Sequence, residues 1–298
     1  MYRAKDAGGG KFVFFEEQMN VQAVERQTLE REMRQGLARH EFVLHYQPKV
    51  DLRSGEVSGA EALVRWNHPT RGLVPPGVFI GVAEETGLIE EIGNWVIFEA
   101  CAQHAAWRKA GGCPPRIAVN VSGRQFVRGD LVQVVAEALR VGATPASALE
   151  IEVTESLFMD QSGDAIDTLQ KLRQMGIKVA IDDFGTGYSS MGYLKRLPVD
   201  VLKLDKSFVT DLVVDDDARV IARAIIALAH ALRLSVVAEG VETAAHLDLL
   251  QSWGCDTIQG YYFSRPLAPQ AFVDFIAGHG GRRSSSAAVP RAAGTIAG

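Results

Sequence analysis

Short β-branched runs alternate along the chain with longer segments in which apolar residues recur every three to four positions. The runs are Ile117–Val121, Leu149–Val153, Val179–Asp182, Val201–Leu204, Ser235–Glu239 and Thr257–Gln259. Before and between them lie helical patterns at Ile89–Ala110, Leu131–Val141, Ala165–Met175, Ala218–Leu232, Ala244–Trp253 and Gln270–Ala277. Strand and helix in alternation predict a mainly parallel sheet. Upstream, Leu29, Met33 and Leu37 at helical spacing among charges predict an amphipathic helix over 21–40. The stretch from Phe42 to Trp66 holds two apolar runs around Arg53-Ser54-Gly55, which predicts an antiparallel hairpin. Six strands and the hairpin make about eight, a number that favours closure. The predicted fold is therefore an α/β, TIM-like (β/α)8 barrel with an antiparallel element at its start. An open sheet remains the alternative on pattern alone.

Both ends depart from this pattern. Residues 1–20 place Gly8-Gly9-Gly10 before a short aromatic stretch, Phe12 to Phe15, too little to fold alone. They read as the remnant of an upstream unit and a linker, with the barrel over 21–278. Residues 279–298 are rich in Gly, Ser, Ala and Pro and have little to bury, so they predict a disordered tail.

Composition narrows the function. The 298 residues are 47% apolar and 22% charged, ordinary for a globular chain able to build one large core. Lys and Arg number 31 against 36 Asp and Glu, a net charge of −5, so duplex nucleic acid is not an expected partner. The most apolar stretch, Val220 to Ala238, is broken by Arg223, His230 and Arg233, and no membrane contact by this chain is expected. Cys101, Cys113 and Cys255 are too scattered for a disulfide framework or a zinc site. Without a signal peptide, the expected location is cytoplasmic.

In a barrel, function gathers at the C-terminal ends of the strands. Those positions hold Glu61, Asn120, Glu152, Asp182 with Asp183, Lys203 with Asp205, Glu239 and Gln259. Any one of them reads equally as a turn or cap residue. As a set they do not, because Asn120 lies between Val119 and Val121, Glu152 between Ile151 and Val153, and Lys203 between Leu202 and Leu204. Buried carboxylates converging inside a barrel need a cation. Oxygen ligands without His or Cys point to Mg²⁺ or Mn²⁺. An acidic pair at Asp182 and Asp183 fits the two-ion arrangement that activates water for phosphoester cleavage, with Asp183 placed just past the strand end. Lys203 fits a group that orients the attacking water, or, structurally, an ion pair to Asp182 or Glu152. The loop Phe184-Gly185-Thr186-Gly187-Tyr188-Ser189-Ser190 lacks the GK[ST] of a P-loop. Asp215-Asp216-Asp217 reads as a helix N-terminus, and the four tryptophans read as core.

Glu61-Ala62-Leu63-Val64-Arg65-Trp66 resembles the signature of the EAL domain, the bacterial cyclic di-GMP phosphodiesterases. The likeness runs on through Tyr46-Gln47-Pro48, Asn120-Val121-Ser122, Glu152-Val153-Thr154-Glu155, Asp182-Asp183-Phe184-Gly185, Asp200 to Asp205, Glu239-Gly240-Val241-Glu242 and Gln259-Gly260, over about residues 25–278. It implies hydrolysis of cyclic di-GMP to linear 5'-pGpG by two-metal activation of water. By the same resemblance, Glu61, Asn120, Glu152 and Asp182 hold one ion, and Asp182 bridges to a second held with Asp183 and Glu239. Lys203 contacts the attacking water, Gln259 supports the metal site and Glu155 braces the loop after Asp183. Leu63 and Arg65 line the groove, and Gln47, Asp205 and Glu242 also face the substrate. A homodimer is implied as well. Residues 1–15 resemble the closing segment of a GGDEF (diguanylate cyclase) domain, which implies the C-terminal part of a GGDEF–EAL protein, a parent open to membrane anchoring upstream. The main alternative is a silent relative that binds the nucleotide, or only a protein, without cleaving it. The filled ligand positions and the unbroken loop favour the enzyme. A magnesium-dependent barrel of the enolase type fits the fold but not these spacings.

Overall fold

The computed structural model describes residues 17–127, 130–158, 163–185 and 194–280. The termini read above as an upstream remnant and a disordered tail therefore lie mostly outside the described residues, as does most of the loop after Gly185. Nine strands are described: β1 (Phe42–Asp51), β2 (Val57–His68), β3 (Gly72–Val74), β4 (Ile117–Asn120), β5 (Leu149–Thr154), β6 (Lys178–Phe184), β7 (Val201–Leu204), β8 (Ser235–Ala238) and β9 (Thr257–Ile258). Eight of them close a ring, β1-β2-β4-β5-β6-β7-β8-β9 and back to β1, while β3 pairs with β2 outside it. β1 is antiparallel to both its neighbours, and every other contact in the ring is parallel. This is the eight-stranded α/β barrel with an antiparallel start that the pattern predicts.

The hairpin runs in register from Phe42 opposite Trp66 to Lys49 opposite Gly59, then slips by one residue so that Val50 lies opposite Val57. Its turn is closed by the Ser54 N–H on Asp51 Oδ1 at 2.6 Å, with Gly55 at φ 68°. Only its inner half belongs to the barrel. Glu61 faces Ala118 of β4, so the residues beyond it, from Leu63 to His68, extend past the C-terminal mouth with Phe42–His45 and β3.

Between sheet and helices the core is aliphatic, and Ile97, Ile151, Leu202, Ile226 and Leu250 are fully or almost fully buried. Trp66 and Trp107 are buried too, while Trp95 and Trp253 pack partly buried against the same core. Asp215 caps the helix Asp216–Ala231 by accepting the Asp217 N–H at 2.8 Å. The helix over 21–40 begins earlier, at Glu17, and ends at Ala38.

The sequence reading lacks the short elements Gly72–Val74, Gly123–Val127 and Lys206–Thr210, and two larger features also differ from it. A helix at Pro76–Thr86 went unread because Gly77 and Gly81 weaken its propensity. It stands on Pro76 near its first turn, a left-handed Gly87 at its end and the burial of Phe79 and Ala83. Asp183 does not lie past the end of its strand: β6 continues to Phe184, with a register break between Ile181 and Phe184 and Asp183 at φ 54°.

Candidate active site

Alternation along each strand sends every second side chain into the barrel. β5 thereby points Glu150 and Glu152 inward, one above the other, and β7 does the same with Val201 and Lys203. β1 contributes Gln47 and Lys49. At the N-terminal end of the strands the interior residues Gly59, Ala118, Val201 and Val237 are small, and a cavity of about 100 Å³, open to solvent, remains there. Towards the C-terminal mouth the interior is charged.

Lys203 is the hub of that charged layer. Its side chain is 1% exposed, and its Nζ lies 2.7 Å from Glu152 Oε2, 2.9 Å from Asp182 Oδ2, 2.6 Å from Glu239 Oε1 and 3.7 Å from Glu61 Oε2. The structural ion pairs considered for this lysine are therefore present. Asn120 Nδ2 donates to Glu61 Oε1 at 2.7 Å, and Gln259 Nε2 donates to Glu61 Oε2 at 2.5 Å and to Gln47 Oε1 at 3.0 Å. Gln47 donates to the Ser264 carbonyl at 3.1 Å. Gln259 is held close to the mouth by Gly260, where any Cβ would fall on the Val241 backbone.

The remaining predicted residues surround this layer. Glu155 Oε2 accepts the Gly185 N–H at 3.0 Å, at the root of the loop after Asp183. Asp205 caps the short helix Lys206–Thr210 through the Ser207 N–H at 2.9 Å, and Asp183 lies beside it. Leu63 and Arg65 sit half-buried on the part of β2 that overhangs the mouth, and Glu242 is exposed. Glu61, Glu152 and Asp182 each bring a carboxylate oxygen within 4.8 Å of the other two. Among the described residues Asp183 and Glu239 are not part of that group; Glu239 joins it through Lys203.

Sequence reasoning missed Lys49. It is buried, with Nζ 2.5 Å from Glu152 Oε1 and 2.8 Å from Glu150 Oε1. Its signal is the one that singled out Lys203: a lysine between residues that read as buried, Pro48 and Val50.

Five carboxyl groups (Glu61, Glu150, Glu152, Asp182 and Glu239) thus face two ammonium groups. Burial and mutual repulsion raise Glu61 and Asp182 above the usual carboxylate range. Burial also pushes Glu239 up to about 8, against the pull of Lys203. Burial acts on Glu152 in the same sense, but Lys203 and Lys49 outweigh it and hold that carboxyl at about 2. Burial alone would lower Lys203, and the surrounding carboxylates outweigh it and keep the ammonium charged.

The raised groups fix a pH dependence. A carboxyl whose pKa is higher in the fold than in the unfolded chain stabilises most below the unfolded value and loses that contribution as pH rises. For Glu239 the window runs from the ordinary glutamate range near 4.5 up to about 8. Melting curves in EDTA are expected to show stability falling from pH 5 to pH 8.5, with a shallower slope in Glu239→Gln. A slope unchanged by that substitution would count against the assignment.

Oxygen donors fit a divalent cation here. The excess of carboxylates is relieved either by protons or by positive ions, and Gln259 Oε1 is a buried acceptor with no hydrogen-bond partner, at the edge of the cluster.

A family profile described as the EAL domain matches residues 30–266. The chain is 46% identical over 277 residues to the bifunctional diguanylate cyclase/cyclic di-GMP phosphodiesterase MucR of Pseudomonas aeruginosa, covering 93% of this chain and 40% of that protein. It is 44% identical over 276 residues to the cyclic di-GMP phosphodiesterase NbdA of the same organism, covering 93% and 35%. The chain thus spans well under half the length of these relatives. A solved structure of the PaMucR phosphodiesterase in complex with c-di-GMP superposes with a TM-score of 0.79 at 46% identity, covering 82% of this chain and 99% of that one. The EAL domain of Mycobacterium smegmatis DcpA gives 0.69 at 39% identity, covering 80% and 98%. The profile spans the hairpin with Glu61, the strands that carry Asn120, Glu152, Asp182 and Lys203, and Gln259, so sequence, fold and site agree: the chain belongs to the EAL domain family.

Proposed function

We propose that this chain hydrolyses cyclic di-GMP to linear 5'-pGpG, using two Mg²⁺ or Mn²⁺ ions. The observation that carries the reading is the buried layer of Glu61, Glu152 and Asp182 around Lys203 at the C-terminal mouth of the barrel. Two relatives, 46% and 44% identical to this chain, are named as phosphodiesterases of this nucleotide. Glu61, Asn120, Glu152 and Asp182 would hold one ion, and Asp182, Asp183 and Glu239 the other. When bound, the ions supply Lewis acidity, activating a water and offsetting the phosphodiester's charge.

The chain's own groups do the rest. The Lys203 ammonium, with three protons and four carboxylate neighbours, is poised to hold a water or a phosphoryl oxygen once cations compete for those carboxylates. Arg65 stands at the overhanging edge of the mouth, where a guanidinium meets a phosphate in two-pronged fashion. Leu63 offers an apolar wall, while Gln47, Asp205 and Glu242 are read as substrate contacts. Glu155, through Gly185, fixes where the chain leaves Asp183.

As part of the same reading, the chain acts in bacterial second-messenger signalling in the cytoplasm, as a homodimer, and as the C-terminal part of a GGDEF–EAL protein. No helix among the described residues is long and apolar enough to cross a membrane. The test is incubation of the purified chain with cyclic di-GMP and Mg²⁺ or Mn²⁺, with the nucleotides resolved by chromatography. Accumulation of pGpG that EDTA abolishes is expected. Binding without product would make the chain a nucleotide receptor instead.

A further inference from the structure

Among the described residues, Glu152 is the carboxylate of the cluster gripped by an ammonium at each oxygen. Lys203 takes Oε2 at 2.7 Å from the mouth side, and Lys49 takes Oε1 at 2.5 Å from the floor side. Lys49 is itself tethered below, by Glu150 Oε1 at 2.8 Å, and Arg116 Nη1 lies 3.8 Å from the other oxygen of Glu150. Lys49, Glu150 and Glu152 are almost wholly buried, with Lys49 and Glu150 lining the cavity at the N-terminal end of the barrel and Glu152 above it. Lys203 cannot orient Glu152 alone, because the same ammonium is divided among Asp182, Glu239 and Glu61. Lys49 contacts only Glu150 and Glu152 among the charged groups with which it pairs.

We infer that Lys49 is a positioning residue for the cation site: by fixing Oε1 of Glu152 it sets Oε2 as the oxygen turned towards Glu61 and Asp182. This rests on the reading of Glu61, Glu152 and Asp182 as ion ligands. Ligands held by a hydrogen bond on their far side are a general feature of metal sites. The alternative is a structural charge pair, replaceable by an apolar group of similar volume. The two differ in sign. A lysine near a cation site repels the ion, so a mere structural pair, once removed, leaves cation binding equal or tighter. A positioning residue, once removed, leaves it weaker.

The experiment is titration calorimetry of the purified, nucleotide-free chain with Mn²⁺, alongside melting curves in EDTA. Lys49→Met alone leaves Glu150 stranded in the interior, so the decisive variant is Lys49→Met/Glu150→Gln, which removes both charges of the lower pair. Its Mn²⁺ affinity is expected to fall by roughly 10–100-fold, the usual effect of losing an outer hydrogen-bond partner of a ligand. Glu150→Gln alone, which leaves Lys49 on Glu152, is expected to bind Mn²⁺ as the parent does. Lys49→Arg, which returns an N–H donor to Oε1, is expected to recover part of the loss. Unchanged or tighter Mn²⁺ binding by the folded double variant overturns the inference and leaves the cation site standing. A parent chain that takes up no Mn²⁺ overturns both.

Discussion

Glu61→Gln is expected to abolish pGpG formation while leaving the metal-free protein at least as stable as its parent. Glu61 accepts hydrogen bonds at both oxygens, from Asn120 Nδ2 at 2.7 Å and Gln259 Nε2 at 2.5 Å. An amide in its place keeps one of these as acceptor and turns its own NH₂ towards the other. Asn120, an exposed residue, can meet that change by rotating its amide, which leaves the Gln259 hydrogen bonds to position 61 and to Gln47 Oε1 in place. The substitution also removes a carboxyl that burial already disfavours as an anion. The fold therefore tolerates it, and the cation site does not. Loss of activity should exceed the roughly 10–100-fold that follows loss of an outer-shell partner. Melting curves separate the two effects. At 100 times its dissociation constant, Mn²⁺ stabilises the parent by about 2.7 kcal/mol, a shift of roughly 5–11 °C for a domain of this size. In Glu61→Gln that shift should shrink, since only the ion read at Asp182, Asp183 and Glu239 keeps all its ligands, while the EDTA melting temperature holds or rises. A variant that keeps its whole Mn²⁺ shift would remove Glu61 from the ligand set.

Lys203→Met should be the most damaging single change to the fold itself. The ammonium neutralises Glu152, Asp182 and Glu239 at 2.6–2.9 Å inside the barrel. Breaking a buried charge pair on one side costs about 3–5 kcal/mol, or roughly 6–20 °C in melting temperature. Unlike a packing defect, this loss has a charge signature. Without the lysine the carboxylates lose their main source of attraction, their pKa values rise further, and stability is again gained as pH falls and lost as it rises. The deficit measured at pH 8 should therefore shrink at pH 5. Saturating Mn²⁺ should shrink it too, by taking over the neutralisation, yet turnover should not return. A deficit independent of both pH and Mn²⁺ would mean that Lys203 serves packing alone.

The order of strands and helices was legible because each parallel strand is a short apolar run bounded by helical periodicity. Asn120, Glu152 and Lys203 were legible for a related reason, since a polar residue flanked by β-branched or leucine neighbours must point the opposite way from them. What the pattern does not carry is which inward residues share a level once the barrel closes. Lys49 meets Glu152 across 103 positions and Gln259 meets Glu61 across 198, and no local signal encodes either meeting. Lys49 is hard to read because its strand is antiparallel to both neighbours, so the rule that gathers function at the C-terminal ends of parallel strands does not reach it. The division of Lys203 among four carboxylates was equally hidden, since each pairing alone looks like an ordinary ion pair. The helix Pro76–Thr86 was lost to its glycines, whose low propensity is outweighed by the burial of Phe79 and Ala83.

The backbone at Asp183 bears on how such a domain loses its chemistry over generations. Its φ of 54° is a conformation that most side chains resist at a cost of roughly 1–2 kcal/mol, and that Gly, Asn and Asp reach with least penalty. Replacement by Asn therefore removes a carboxylate from the acidic pair and leaves the course of β6 into Gly185 undisturbed. Replacement by Val or Ile damages both. At Glu152, by contrast, a neutral substitute takes a carboxylate partner from two buried ammonium groups at once. A lineage drifting from hydrolysis towards mere recognition thus has an easier route through position 183 than through position 152.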